Sequence, residues 1–326
     1  MTEIEIPDEP LGSGAPQSAY KNLLVPLVVV PAMIVMVLVL VFALFGAVTG
    51  KADSPSENLE TVLHGGRNER RQAAFGLVRQ ILEYEHARRE GKESEWGIDE
   101  TFLPQLRNAR AQMGTIAELE KDDVAIPFVL SSLMAQLGDP EGVHQLIEMT
   151  RIPEGLDPAG GFRMDAVFTL GAIGRDLAEP ERVAAARTLI DLLASEDHGM
   201  VLASAAGLQN LPGPDTVHAL VACLADPSVE IRLQAALSLV RLGDSTGVPV
   251  LREMAQQEPY QTEREAQPRK WAPQRVSESR RKAIAALREL GEPIEHDVLE
   301  RWAADDPDPE VRAFARQLQA DSDPVR

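Results

Sequence analysis

The sequence predicts an all-α protein in which one transmembrane helix precedes an α-solenoid of paired helices. Two observations predict this architecture: an uncharged apolar segment lies near the N-terminus, and one helical pattern recurs along the rest of the chain. A third observation limits the function. With 51 acidic against 32 basic residues among 326, the chain carries a net charge of −19, which disfavours nucleic acid as a partner.

The uncharged segment is residues 22–50, between Lys21 and Lys51. A helix of this length would extend about 43 Å, enough to cross a hydrocarbon core of about 30 Å. A cleaved signal peptide is disfavoured, because its apolar core is shorter and follows a basic region, whereas the preceding tail here is acidic. The sequence therefore predicts an acidic disordered tail (residues 1–21), a transmembrane helix (22–50) and a polar linker (51–66).

The recurring pattern is clearest in residues 226–243. Asp226 can cap a helix that starts at Pro227, and Ala235, Ala236 and Leu239 then recur at helical spacing on one face. Gly243 is placed to end the helix, since glycine enters the left-handed conformation without strain. A second, shorter apolar helix is expected to follow each such unit.

Equivalent positions close several copies of the pattern: Leu137, Ile173, Leu211, Leu242 and Leu290. The intervals between them are 36, 38, 31 and 48 residues. Intervals of 31–38 residues fit a helix-pair repeat, and the last interval predicts an insertion loop at about residues 256–278.

The motifs D-P-x-x-E-[IV]-R-x-x-A and A-A-x-x-L-x-x-L-G resemble HEAT repeats of the short bacterial type named after phycobilisome lyase subunits. The resemblance covers residues 67–322, leaves 323–326 as a tail, and implies an α-solenoid with a continuous core. It also implies that Arg232, Arg163 and Arg312 bond to neighbouring repeat backbone or to an aspartate. The resemblance indicates a fold and does not indicate a function.

The metal-binding and redox motifs HExxH and CxxC are both absent. The six histidines are scattered among the repeats without a common register, and the only cysteine, Cys223, is expected to be a small apolar core residue. We therefore expect no enzyme activity, no metal and no cofactor. The alternative is a HEAT-repeat enzyme or enzyme subunit, either lyase-like or metal-dependent.

The predicted insertion carries basic and aromatic residues on an otherwise acidic chain. The candidate partner-binding residues are Tyr260, Arg264, Arg269, Lys270, Trp271 and Arg275. One interpretation is a contact for an acidic protein partner or for lipid headgroups. The other interpretation is a solvated loop whose Trp271 folds back over the edge of the solenoid.

These observations lead to the hypothesis of a scaffold or adaptor held by one helix in a bacterial inner membrane, whose solenoid binds another membrane or envelope protein. The positive charges at the two ends of residues 22–50 are nearly balanced. The short tail beside Lys21 slightly favours a solenoid on the extracytoplasmic side. A sensor of anionic lipid surfaces is a third hypothesis.

Overall fold

The computed structural model describes residues 53–98, 101–115, 118 and 124–322. The predicted tail (1–21), transmembrane helix (22–50) and C-terminal tail (323–326) lie outside the described residues. Within the described ranges, no helix has the length and apolar character needed to cross a membrane.

The described part of the chain is built from α-helices, with two short 3₁₀ helices at Gly174–Asp176 and Glu258–Tyr260. In chain order the α-helices are α1 (Pro55–His64), α2 (Arg67–Arg89), α3 (Phe102–Ala111), α4 (Ala125–Gln136), α5 (Pro140–Met149), α6 (Gly161–Ile173), α7 (Glu179–Leu192), α8 (His198–Leu208), α9 (Pro214–Cys223), α10 (Val229–Arg241), α11 (Val248–Met254), α12 (Gln261–Ala266), α13 (Pro273–Glu289), α14 (His296–Asp305) and α15 (Pro309–Ser322).

The helices pack as two layers, which is the arrangement of an α-solenoid. Helices α2, α4, α6, α8, α10, α13 and α15 contact one another in this order and form what we call the first layer. Each of α4, α6, α8, α10 and α13 is followed by a second-layer helix: α5, α7, α9, α11 and α14, respectively. Helices α1 and α3 contact each other and pack against α2 and α4. The all-α solenoid predicted from the sequence is thus confirmed.

The apolar positions of the recurring pattern form the core between the layers. Ala235, Ala236 and Leu239 of α10 are fully buried, as are the equivalent Ala166 and Leu170 of α6. The buried residues fall into three clusters that succeed one another along the chain, so that each repeat shares its core with its neighbours. This is the continuous core expected when repeats cannot bury their apolar faces alone.

The prediction of a linker at residues 51–66 is wrong for the part of this range that the structure describes. Pro55–His64 form α1, which packs against α2 and buries Leu59 and Val62. The segment is polar overall, but Leu59 and Val62 are three residues apart and lie on one helix face. The solenoid therefore begins at residue 55 and not at residue 67.

The start of α10 also differs from the prediction. The helix begins at Val229, two residues after Pro227, and Asp226 stabilises the turn before it by accepting a hydrogen bond from the Ser228 amide at 2.8 Å. In α5 the same dipeptide behaves as the pattern predicts: Asp139 is the N-cap and Pro140 the first helical residue.

The three arginines that the resemblance singled out have the expected structural role. Arg232 donates to the carbonyl oxygen of Asp226 at 2.9 Å, and Arg163 donates to that of Asp157 at 3.4 Å. Arg312 makes the same contact with the carbonyl oxygen of Asp306. In each case the arginine closes the turn that begins six residues before it, so the first-layer helices start in the same way.

A buried ion pair joins the last repeats. Arg280 of α13 contacts both carboxylate oxygens of Asp306, at 3.0 and 2.5 Å, and donates to the carbonyl oxygen of Ala255 at 3.0 Å. Both charged side chains are almost fully buried. Because a bidentate geometry and a third hydrogen bond satisfy the guanidinium, the pair offsets much of its desolvation cost.

We predict that Asp306→Asn lowers the free energy of unfolding by about 3–5 kcal/mol, because it leaves the Arg280 charge buried without its counter-ion. Urea denaturation of the full-length protein, followed by circular dichroism, measures this change. Asp305→Asn is the matched control, since Asp305 is exposed and lies one residue away. Equal effects of the two substitutions would show that the buried pair contributes nothing.

Candidate partner-binding site

The predicted insertion loop at 256–278 is a folded part of the solenoid. After α11 the chain forms the 3₁₀ helix Glu258–Tyr260 and the short helix α12, and it then turns into α13 at Pro273. We call residues 256–272 the inserted segment. The extra length of this repeat predicts a loop, but short helical turns and buried aromatic side chains hold the segment in place.

Tyr260 and Trp271 are the buried anchors of the inserted segment. Each is only 1% exposed, and their ring centroids lie 5.3 Å apart. The Tyr260 hydroxyl donates to the carbonyl oxygen of Met254 at 2.9 Å, and burial raises the pKa of this phenol. The expectation that these two aromatic side chains face a partner is therefore wrong, and the alternative, in which Trp271 folds back, describes their placement.

The carboxylate of Glu230 binds the inserted segment to the first layer. This side chain lies at the start of α10 and is 9% exposed. Its Oε2 atom is 2.5 Å from the Lys270 ammonium and 3.0 Å from Nε2 of His198, and its Oε1 atom accepts from Arg275 at 2.6 Å. The Arg275 guanidinium also lies 5.9 Å from the Trp271 ring centroid, within the range of a cation–π contact.

These contacts keep Glu230 ionised. Burial by itself raises the pKa of a carboxyl group, but hydrogen bonds from Lys270 and His198 and the positive charges of Lys270 and Arg275 outweigh it. The net result is a pKa below the ordinary value of 4.5. Glu230 is thus a negative charge at neutral pH, and it fixes the positions of two cationic side chains at the surface.

An open cleft of about 540 Å³ lies beside Glu230, between the inserted segment and first-layer helices. We call it the basic cleft. Its apolar wall consists of Leu202, Leu233 and Leu237. Its basic side chains are Arg269, Lys270, Arg275 and Lys282.

The basic cleft brings together only part of the predicted site. Arg269, Lys270 and Arg275 line it, whereas Arg264 is exposed beside a separate, smaller cleft near the start of α15. Sequence reasoning missed the apolar wall, because Leu202 comes from an earlier repeat and the α10 leucines come from the preceding helix pair, outside the insertion. One residue could have indicated this wall. Leu237 directly follows the buried alanine pair of α10 and is only partly buried, so it is an apolar side chain beside the core face of the helix.

Exposed phenylalanines occupy that same repeat position in two other first-layer helices. Phe75 of α2 and Phe168 of α6 are 73% and 54% exposed, and each follows a buried pair at the position of Leu237. The end of α2 also lies close to the 3₁₀ helix that follows α6, where Arg89 and Asp176 form an ion pair at 2.9 Å. Phe75, Phe168 and Leu237 thus share one repeat position, and we call the first-layer surface that they mark the outer face of the first layer.

The described residues contain no group of three or more histidine, cysteine, aspartate or glutamate side chains that could hold a metal ion. His198 contacts Glu230, as stated above. Cys223, at the end of α9, is partly buried beside the core, and burial together with nearby Asp226 raises the pKa of its thiol. A raised pKa disfavours the thiolate, so this thiol is a weak nucleophile at neutral pH.

We predict that Glu230→Gln lowers the free energy of unfolding by about 1.5–3 kcal/mol at pH 7, because charge-assisted hydrogen bonds are lost. Since the pKa of Glu230 is lowered on folding, its stabilisation is fully present above the unfolded value near 4.5 and is lost as the pH falls below it. Urea denaturation at pH 7 and at pH 3 measures both effects.

The difference between wild type and Glu230→Gln should therefore shrink at pH 3. Glu265→Gln, on an exposed carboxyl group of the inserted segment, is the control and should leave stability unchanged at both values. A Glu230→Gln penalty that stays constant with pH would contradict the role of the ionised carboxylate.

Trp271→Ala is predicted to lower the free energy of unfolding by about 3–5 kcal/mol, because it leaves a cavity beside Tyr260. The exposed neighbour Arg269 supplies the control, since Arg269→Ala should change stability by no more than about 0.5 kcal/mol. Thermal and urea unfolding of the full-length variants measure the two changes. A stable Trp271→Ala variant would mean that the tryptophan is not part of the core.

Comparison with known proteins supports the repeat assignment. Residues 186–267, which run from within α7 to the end of the α12 region, match the family model of HEAT repeats. No curated protein matches the chain. The matched stretch includes most of the inserted segment, and helix pairs of the same construction continue on both sides of it. The match and the all-helical, two-layer structure together support a HEAT-repeat protein.

Proposed function

We propose that this protein is an adaptor, tethered to a membrane by residues 22–50, whose solenoid binds another protein. The repeat architecture supports the binding role, because HEAT repeats commonly mediate protein–protein interaction. The uncharged 29-residue stretch between Lys21 and Lys51 supports the tether. A bacterial inner membrane, with the solenoid on the extracytoplasmic side, is the location that we propose.

A tether of this kind strengthens binding without adding a contact. Confinement to one membrane raises the effective concentration of the solenoid toward a partner in that membrane. The partner that fits this arrangement best is therefore another membrane or envelope protein. The role that we propose is binding rather than catalysis. HExxH and CxxC are absent, and the one GxSxG match, residues 243–247, lies in a turn between two helices and not in the strand-to-helix turn of a nucleophile elbow.

The observation that carries the proposal is the outer face of the first layer. Phe75 and Phe168 expose large apolar side chains at one repeat position, and Leu237 continues this position into the basic cleft. Single exposed apolar residues are normal on a protein surface, but the same register position exposed in several repeats favours a contact surface. Solenoids characteristically bind through such extended faces.

Cross-linking in intact cells, followed by mild-detergent purification and mass spectrometry, tests the proposal. We expect one dominant membrane or envelope protein in near-equal amount with the tagged full-length chain. Deletion of residues 22–50 should release the chain from the membrane fraction and reduce the yield of this partner. Recovery of the chain alone, or as a homo-oligomer, would contradict the adaptor function.

The combined substitution Phe75→Ser/Phe168→Ser is predicted to reduce partner recovery at least about fivefold, because it removes apolar contacts worth about 1–2 kcal/mol. The thermal midpoint should stay unchanged, since both side chains are largely exposed in the free protein. Val183→Ser is the matched control, because Val183 is 58% exposed but lies on α7 in the second layer. An equal loss of partner recovery in the Val183→Ser variant would contradict the assignment of binding to the first layer.

A further inference from the structure

The basic cleft combines partly exposed leucine side chains with a cluster of positive charges. Leu202 of α8 and Leu237 of α10 are partly exposed on its apolar wall. Four cationic side chains line it together with two carboxylates, those of Glu230 and Glu278. This leaves two positive charges in the cleft of a chain whose net charge is −19.

Three of the four cationic groups are held by carboxylates before any ligand arrives. Lys270 and Arg275 are held by Glu230, and the Lys282 ammonium lies 2.7 Å from a Glu278 carboxylate oxygen, one helical turn away. Side chains that are already ordered lose less conformational entropy on binding, so their contacts yield more net affinity. Guanidinium groups are also well suited to carboxylates, which they can bind through two parallel hydrogen bonds.

The apolar wall indicates what kind of ligand would bring carboxylates to these cationic groups. Leu233 and Leu237 are one turn apart on α10, and with Leu202 of α8 they form an apolar strip between two helices. A flat basic patch would suffice for a charged headgroup alone, whereas an apolar strip beside cations matches a segment with two chemically different faces. Docking of an amphipathic helix into a groove is a recurrent mode of peptide recognition.

We propose that the basic cleft binds an acidic amphipathic helix of the partner protein. The apolar face of that helix packs on Leu202 and Leu237, and its Glu and Asp side chains pair with Arg269 and Lys282 at the rim. This inference rests on the proposed adaptor function and specifies the chemistry of the partner segment. It also gives a role to the basic residues that an acidic solenoid carries in the inserted segment and in α13.

Two synthetic peptides and the full-length protein in non-ionic detergent test the proposal by fluorescence anisotropy. One labelled 16-residue helical peptide carries Leu on one face and Glu on the flanks, and its counterpart carries Lys in place of every Glu. We expect the Glu peptide to bind at least about tenfold more tightly than the Lys peptide, with an affinity that falls as salt increases. Equal binding of the two peptides would overturn the proposal.

Charge reversal locates the binding site. Arg269→Glu/Lys282→Glu should weaken the Glu peptide at least about tenfold and strengthen the Lys peptide. The control is Arg187→Glu/Arg301→Glu, which reverses two exposed arginines outside the cleft and should leave the preference unchanged. If the reversed protein has a lowered thermal midpoint, Arg269→Ala/Lys282→Ala replaces it, with a loss of at least about threefold expected. Unchanged binding in a folded cleft variant would overturn the proposal.

A further arm separates a peptide from a lipid headgroup. Glycerol phosphate, a soluble headgroup analogue, should not displace the Glu peptide at low millimolar concentration, and displacement would reassign the cleft to phosphate and overturn the proposal. Cellular cross-linking of the charge-reversed chain distinguishes this inference from the adaptor function. Undiminished recovery of the partner would overturn the cleft assignment while the adaptor function stands, whereas absence of any partner from wild-type cells would refute the adaptor function itself.

Discussion

The ionised carboxylate of Glu230 is the interaction on which the candidate site depends. It lies at the start of a first-layer helix, and its contacts with Lys270 and Arg275 reach across to the inserted segment and to α13. Without this charge, Lys270 and Arg275 would lose their shared carboxylate, and the inserted segment would be held mainly by its aromatic anchors. One side chain thus stabilises the segment and shapes the binding surface.

Another local contact recurs along the solenoid. The first-layer helices α6, α10 and α15 each begin with an aspartate turn closed by an arginine six residues later, as in Asp226 with Arg232. Because this turn sets the helix start, equivalent positions in different repeats face the same way. An exposed Phe168 in one repeat and a partly exposed Leu237 in another therefore belong to one surface, although 68 intervening residues separate them.

The sequence was sufficient for the repeats because their register depends on local rules of helical spacing. The buried Ala235, Ala236 and Leu239 follow directly from that spacing. It was insufficient for the inserted segment, where burial of Trp271 and the contacts of Glu230 depend on residues distant in the chain. The prediction for residues 55–64 was also wrong, because their polar composition favoured a linker although Leu59 and Val62 lie on one helix face. Local patterns predict elements, but long-range packing decides which side chains remain available to a partner.

Hydrogen–deuterium exchange of the full-length protein tests most directly whether the inserted segment is folded onto the solenoid. The account predicts slow exchange in residues 256–272, including the Trp271 amide, which donates to the carbonyl oxygen of Gln267 at 3.0 Å. Its protection should resemble that of α10 and α13, to which Glu230 and Arg275 connect it. Exchange in this segment at the rate of an unstructured chain, with α10 still protected, would contradict the account, because no preformed cleft could then exist.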